Sequence, residues 1–290
     1  MPTVHANGID IWYELRGERG PTLVLNPGWQ GSKEGWPSHV LELANHVRLL
    51  TYDARGHHRT TAPEDPEAYS LPIYAQDLRG LLDALDIERA HIAGVSQGGM
   101  IASQFVVDFP ERARSFLLCD STAGNGVDEG PGGEWERRMQ AGLELMEGVA
   151  REEGLPALME RRIAHDMAND PHYFDHPEPV ELRQERDRRT YAELSLHAFV
   201  GTARALRRRP DLTSRIRNVQ LPTLVMAGEW DDFRPCAERD HRLIEGSRFV
   251  LLRRCGHSSD RWRPDAFVPT ILRFIDDVEA GRDVAGEYEL

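Results

Sequence analysis

The chain has 290 residues, of which 40% are hydrophobic and 29% charged, as is usual for a globular protein. Its net charge of −13 argues against nucleic-acid binding, which relies on clustered lysine and arginine to neutralise phosphates. No stretch approaches the roughly 18 uninterrupted apolar residues of a membrane span, and the N-terminus lacks the apolar core of a signal peptide. The three widely spaced cysteines suggest neither a disulfide framework nor a zinc site, so we expect a reduced, cytoplasmic protein.

The predicted elements alternate between short buried strands and helices. Asn7-Gly8, between two β-prone segments, predicts a hairpin over Val4–Tyr13. Further strands are predicted at Thr22–Leu25, Val47–Tyr52, Ala90–Ala93, Phe116–Cys119, Thr223–Ala227 and Arg248–Leu252. The helices between and after them are predicted at Trp36–Asn45, Ile73–Leu85, Gln97–Phe109, Pro235–Glu245 and Ala266–Glu279. This alternation predicts an α/β fold with a mostly parallel, eight-stranded sheet, and the acidic residues after Gly281 are expected to fray.

Between residue 121 and about residue 210 the strand signals stop. Helical patterns at Glu134–Glu153, Leu155–Met167 and Val180–Arg208 predict an inserted helical cap, with a turn-rich entrance at Thr122–Gly133. Residues 1–120 and 211–290 are therefore expected to form the core domain, and residues 121–210 the cap or lid. Its large side chains are expected either to line a pocket or to form the cap's own core; they are Trp135, Met139, Met146, Met159, Met167, Tyr173 and Phe174.

Ser96 stands between a predicted strand and a predicted helix, in the run GVSQG at residues 94–98. A sharp strand–turn–helix leaves no room for side chains two residues before and after its central residue, and Gly94 and Gly98 occupy those positions. The G-x-S-x-G pattern is typical of a nucleophile elbow, which projects a serine hydroxyl above the sheet. The competing interpretation is a glycine-rich phosphate loop, but the G-x-G-x-x-G pattern and the P-loop lysine are both absent.

A nucleophilic serine needs a base, and the base needs an orienting acid. Asp231 and His257 each follow the C-terminal end of a predicted strand. Serine, aspartate and histidine then occur in the chain order typical of G-x-S-x-G hydrolases. Asp232, which is adjacent, and Asp120, which ends another strand, stay open as alternatives for the acid.

On these motifs the chain resembles the α/β-hydrolase superfamily, particularly its small bacterial esterases, enol-lactonases and cofactor-free haloperoxidases. The resemblance covers nearly the whole chain outside the cap. Residues 53–56 (DARG) look like the family's D-x-R-G turn, and residues 23–32 occupy the place of its His-Gly oxyanion loop. The chain departs from the pattern at Pro27, where histidine is usual, and at His58, where glycine is frequent.

The resemblance implies an α/β-hydrolase fold and a serine hydrolase of small or medium-sized esters or lactones. Ser96 is the implied nucleophile, His257 the base and Asp231 the acid, and the backbone N–H groups of Trp29 and Gln97 form the implied oxyanion hole. No metal or organic cofactor is implied. Hydrolysis of a C–C bond, perhydrolysis with the same triad, and a ligand receptor on the same fold stay open, as does the oligomeric state.

Overall fold

The computed structural model of the chain describes residues 2–32, 34–124 and 131–290. The described residues form a single nine-stranded sheet, whose strands are β1 (Thr3–Ala6), β2 (Ile9–Arg16), β3 (Thr22–Asn26), β4 (Arg48–Tyr52), β5 (Ala90–Val95), β6 (Ala113–Cys119), β7 (Thr223–Gly228), β8 (Arg248–Leu252) and β9 (Gly286–Glu289). Their order across the sheet is β1-β2-β4-β3-β5-β6-β7-β8-β9. The pairs β1–β2 and β2–β4 are antiparallel, and every other pair is parallel.

The helices are α1 (Ser38–Leu41), α2 (Leu71–Ala84), α3 (Gln97–Asp108), α4 (Pro131–Glu153), α5 (Leu155–Asn169), α6 (Val180–Glu193), α7 (Leu196–Arg207), α8 (Thr213–Ile216), α9 (Arg234–Leu243), α10 (Ser259–Trp262) and α11 (Pro264–Glu279). Short 3₁₀ turns lie at Glu42–Asn45, Pro66–Ala68, Pro110–Arg112 and Tyr173–Asp175. No helix among the described residues combines the length and apolar character that crossing a bilayer requires.

Alternate side chains of the central strands enter two separate cores, because successive residues of a strand point to opposite faces. In β7, Val225 and Ala227 join the core that includes residues of α2, α3 and α9. Leu224 and Met226 join the core on the other face, which includes residues of α1 and α11. The α/β fold with a mostly parallel sheet that the sequence predicts is therefore present, with helices covering both faces of the sheet.

The strand order reverses at β3, since β4 lies on one side of it and β5 on the other. In open parallel sheets, ligands bind beyond the carboxyl ends of the strands at such a switch point. The loop after β3 carries Trp29, and the turn after β5 carries Ser96. The topology thus brings these two predicted site residues to one edge of the sheet.

Helices α4–α7 lie between β6 and β7, and the described part of that stretch contains no strand. The single helix expected over Val180–Arg208 is wrong, because α6 ends at Glu193 and α7 begins at Leu196. Ser195, which precedes α7, is extended, as the residue before a helix usually is. Half of the predicted entrance, residues 125–130, lies outside the described residues. That residues 121–210 act as a lid stays a proposal.

All eight predicted strands are present, and β9 is an addition where fraying was expected. β9 pairs in parallel with β8, which would otherwise be an edge strand. The Arg253 guanidinium pairs with the Glu289 carboxylate at 2.8 Å, and the backbone N–H of Arg253 donates to the carbonyl oxygen of Leu290. The sequence of β9, GEYE, has no apolar alternation because backbone pairing and charge hold it, so periodicity could not reveal it.

Candidate active site

Ser96 occupies a strained turn between β5 and α3. Its φ of 56° and ψ of −121° lie in a region that a residue with a Cβ rarely adopts, at a cost of about 1–3 kcal/mol. A Cβ at Gly94 would lie 2.1 Å from the carbonyl carbon of Gly98, and one at Gly98 would lie 2.1 Å from the carbonyl oxygen of Asn26. The expectation that both positions lack room for a side chain is therefore confirmed.

The loop after β3 runs directly beside this turn. A Cβ added at Gly28 would lie 3.6 Å from the Cβ of Ser96. Trp29 follows in that loop, and Gln97 is the first residue of α3. Among the described residues, neither the Trp29 N–H nor the Gln97 N–H donates a hydrogen bond. Both amides are thus available to an oxyanion formed near Ser96.

His58 contacts the same loop. Its Nε2 donates a hydrogen bond to the carbonyl oxygen of Gln30 at 3.1 Å. His58 also adopts a positive φ of 43°, which fits a position where glycine is frequent in the family that the sequence resembles. The His58 side chain thus holds the backbone of Gln30, the residue after Trp29, which a glycine could not do.

Asp231 and His257 meet beyond the ends of β7 and β8. His257 Nδ1 lies 3.0 Å from Asp231 Oδ1, which also accepts the N–H of Phe233 at 3.0 Å. A Cβ at Gly228 would lie 2.4 Å from the carbonyl oxygen of Cys255, so the two loops touch at this glycine. Ser96 lies at the end of β5, two strands from β7, and no hydrogen bond reaches its Oγ among the described residues.

The charge around His257 favours its protonated form. The Asp231 side chain is fully buried, whereas that of His257 is 39% exposed. Burial by itself lowers the pKa of His257, but the charge and hydrogen bond of Asp231, with the charges of Asp120 and Asp260, raise that pKa to about 9. The free imidazole is therefore a stronger base than an ordinary histidine.

Asp120 lies close by and contacts a different part of the loop. Its Oδ2 accepts the N–H of Ser259 at 2.6 Å, and its own N–H donates to Met226. Burial, reinforced by the charge of Asp231, raises the pKa of Asp120 to about 7. Asp232 is exposed. Of these three carboxylates, only that of Asp231 hydrogen-bonds His257 in the described structure.

Side chains from the inserted helices reach the loops that carry Asp231 and His257. Trp135 of α4 packs on Phe233 with ring centroids 4.0 Å apart, and Phe233 stacks on His257 at 5.0 Å. His172, which follows α5, stacks on Trp230 at 3.7 Å. Among the predicted pocket or core residues of this region, Trp135, Met159 and Tyr173 are buried, Met139 and Met146 are partly buried, and Met167 and Phe174 are exposed.

The sequence analysis did not identify Phe233 and Ser259 as contacts of the candidate site, nor Tyr191 as the hydrogen-bond partner of Gln30. Their contacts come from segments far apart in the chain, and no local pattern marks them. In the described part of the chain, no three histidine, cysteine, aspartate or glutamate side chains are grouped to hold a metal ion.

Comparison with known proteins gives one consistent result. The family described as alpha/beta hydrolase fold matches residues 21–259. The chain is 24% identical to 3-oxoadipate enol-lactonase 1 of Acinetobacter baylyi, over 90% of this chain and 91% of the relative. It is 27% identical to 2-hydroxy-6-oxo-6-phenylhexa-2,4-dienoate hydrolase of Comamonas testosteroni, over 91% of each chain. The crystal structure of the enol-lactonase from Burkholderia xenovorans LB400 superposes with a TM-score of 0.77 at 26% identity, covering 95% of this chain and 100% of that one.

Proposed function

The chain belongs to the α/β-hydrolase family, and on that premise we propose that it is a serine hydrolase of a small or medium-sized carboxylic ester or lactone. One observation carries the proposal. A strained serine lies beside two amides that donate no hydrogen bond among the described residues, at the sheet edge where Asp231 holds His257 at 3.0 Å. The strained turn costs stability, and the two amides have no hydrogen-bond partner among the described residues, which is typical of a site built for chemistry.

The proposed reaction proceeds through an acyl-enzyme. His257 takes the Ser96 proton as the hydroxyl attacks the carbonyl carbon, and Asp231 keeps the imidazole in the required tautomer. The N–H groups of Trp29 and Gln97 stabilise the tetrahedral oxyanion. Collapse of this intermediate expels the alcohol, which leaves with a proton from His257. Water, activated by the same histidine, then releases the acid.

Two of the relatives compared are named enol-lactonases, which supports an ester or lactone as the substrate. The relative named as a dienoate hydrolase makes hydrolysis of a C–C bond the second candidate, on the same residues. Helices α4–α7 are proposed to act as the lid, because Trp135 and His172 contact the loops that carry the acid and the base. A reducing, cytoplasmic location is part of the proposal and is supported by three buried free thiols.

The test is a screen of p-nitrophenyl esters, lactones and vinylogous diketones on the purified wild-type protein and two variants. Ser96→Ala should lower kcat by up to about 10⁶, because the residues of a triad act as a unit. Ser103→Ala is the matched control, since this buried serine of α3 bonds only the Gly99 carbonyl oxygen in the described structure. A fluorophosphonate should label Ser96 alone. Turnover that survives in Ser96→Ala would refute the mechanism.

A further inference from the structure

Arg162 interrupts an apolar stripe on α5. Leu155, Leu158, Met159 and Ile163 are all buried and belong to one cluster with residues of α6 and α7. Arg162 lies four residues after Leu158 and three after Met159, and therefore on the same face of the helix. A guanidinium at such a position loses part of its hydration, which destabilises the fold unless a partner compensates for it.

The guanidinium is directed toward the loop that carries Trp29. Arg162 Nη1 donates a hydrogen bond to the hydroxyl of Tyr191, a buried residue of α6. The same hydroxyl accepts the side-chain amide of Gln30 at 2.7 Å. Gln30 is the neighbour of Trp29, whose ring stacks on Phe199 at 4.9 Å within the same cluster. One hydroxyl therefore separates Arg162 from the proposed oxyanion loop.

Arg162 forms no direct ion pair with any carboxylate of the described residues. The charges of Asp166 and Asp187 help to raise the pKa of Arg162, but neither carboxylate lies within salt-bridge distance of its guanidinium. The preceding residue, Arg161, shows the ordinary arrangement on this helix, because its side chain is 61% exposed and pairs with Glu153 at 2.6 Å. Arg162 is partly buried, forms no salt bridge with a described carboxylate, and is joined through Tyr191 to Gln30 of the proposed oxyanion loop, so its guanidinium has the chemistry of an anion-binding group.

We propose that Arg162 binds a carboxylate of the substrate, at the end of the molecule remote from the carbonyl that Ser96 attacks. The inference rests on the proposed serine-hydrolase function and narrows its substrates to acidic esters or lactones. Arginine is suited to this role because its planar fork matches a carboxylate with two parallel hydrogen bonds. The Cβ, Cγ and Cδ methylenes of the arginine stem can meanwhile lie against the apolar stripe.

The test compares two substrates of equal acyl length, the mono-p-nitrophenyl ester of glutaric acid and its methyl p-nitrophenyl diester. The wild-type protein should prefer the acidic ester in kcat/KM. Arg162→Met keeps an unbranched side chain in the apolar stripe and should reduce that preference by about ten- to a hundredfold, mainly through KM. Arg162→Lys should restore part of it. Arg161→Met is the matched control and should leave the preference unchanged.

A binding measurement separates this inference from the proposed function. Monomethyl glutarate should raise the melting temperature of Ser96→Ala more than dimethyl glutarate does, and Arg162→Met in that background should abolish the difference. Equal shifts for the two ligands, or an unchanged substrate preference in Arg162→Met, would overturn the role of Arg162. Turnover that survives in Ser96→Ala would overturn the serine mechanism, and the binding comparison would still report on Arg162.

Discussion

The carboxylate of Asp120 accepts the backbone N–H of Ser259 at 2.6 Å, two residues beyond His257. The next residue, Ser121, donates its hydroxyl to the carbonyl oxygen of Ser96 at 2.5 Å. The segment after β6 therefore contacts both the turn of the proposed nucleophile and the loop of the proposed base. Asp120 is placed to hold the loop, whereas Asp231 is placed to hold the imidazole.

This division predicts unequal effects of removing each carboxylate. Asp231→Asn presents an N–H to His257 and favours the wrong tautomer, which costs about 10⁴ in kcat in a well-studied serine-protease triad. We expect a loss of that order here, and less than about tenfold for the exposed Asp232→Asn. Steady-state kinetics on these variants and on Asp120→Asn provide the measurement. If Asp120→Asn is the crippled variant, the acid is Asp120 and the assignment of Asp231 is wrong.

The raised pKa of His257 predicts an alkaline pH profile. The base must be neutral to accept the Ser96 proton, so kcat/KM should keep rising above pH 7 toward a midpoint near the pKa of about 9. Below that midpoint each pH unit should cost about tenfold in rate. Asp120→Asn removes one of the charges that raise the pKa and should move the midpoint to lower pH, whereas Asp232→Asn should not. An unchanged midpoint in Asp120→Asn would show that its charge does not reach His257.

Trp135 is expected to set the preference for acyl chain length. Its ring packs on Phe233, which in turn stacks on His257, so Trp135→Ala opens space near the base. We expect relative kcat/KM among p-nitrophenyl esters to shift roughly tenfold toward longer acyl chains. Phe174→Ala is the matched control, because that ring is 65% exposed. If Trp135→Ala leaves the order of kcat/KM among these esters unchanged, Trp135 is a core residue and does not contact the acyl chain.

Gly228 is expected to be irreplaceable, although its substitution adds only a methyl group. In Gly228→Ala the new Cβ would lie 2.4 and 2.6 Å from the carbonyl oxygens of Cys255 and Gly256, which separates the loops of Asp231 and His257. We expect a loss of about 1–3 kcal/mol in unfolding free energy, with reduced activity. Gly148→Ala, inside α4 with nothing within 4 Å of the added Cβ, should instead gain about 0.5–1 kcal/mol. Thermal melts of both variants distinguish these outcomes. Equal melting temperatures would show that the predicted clash of a Cβ at Gly228 does not destabilise the fold.

The sequence predicted correctly the features that depend on residues close together in the chain. Buried strands, the glycines around Ser96 and the strand-end positions of Asp231 and His257 all follow from short-range periodicity and turn chemistry. The break between α6 and α7 at Ser195 was missed because both flanking segments favour helix. β9 and the contacts of Arg162 were missed for a different reason. They depend on partners from distant segments, Arg253 in one case and Tyr191 in the other.

The pairing of β6 with β7 has a consequence for how this fold accommodates change. Cys119 and Met226 are partners in the sheet, although all of α4–α7 lies between them in the chain. The entropy of closing a loop grows only with the logarithm of its length, so doubling such a segment costs about 0.6 kcal/mol. Insertions between β6 and β7 that leave the core side chains of α4 and α7 in place therefore cost little chain entropy, while β5, β7 and β8 keep Ser96, Asp231 and His257 at the same edge. Selection can remodel the part of the chain that surrounds the substrate without rebuilding the part that performs the chemistry.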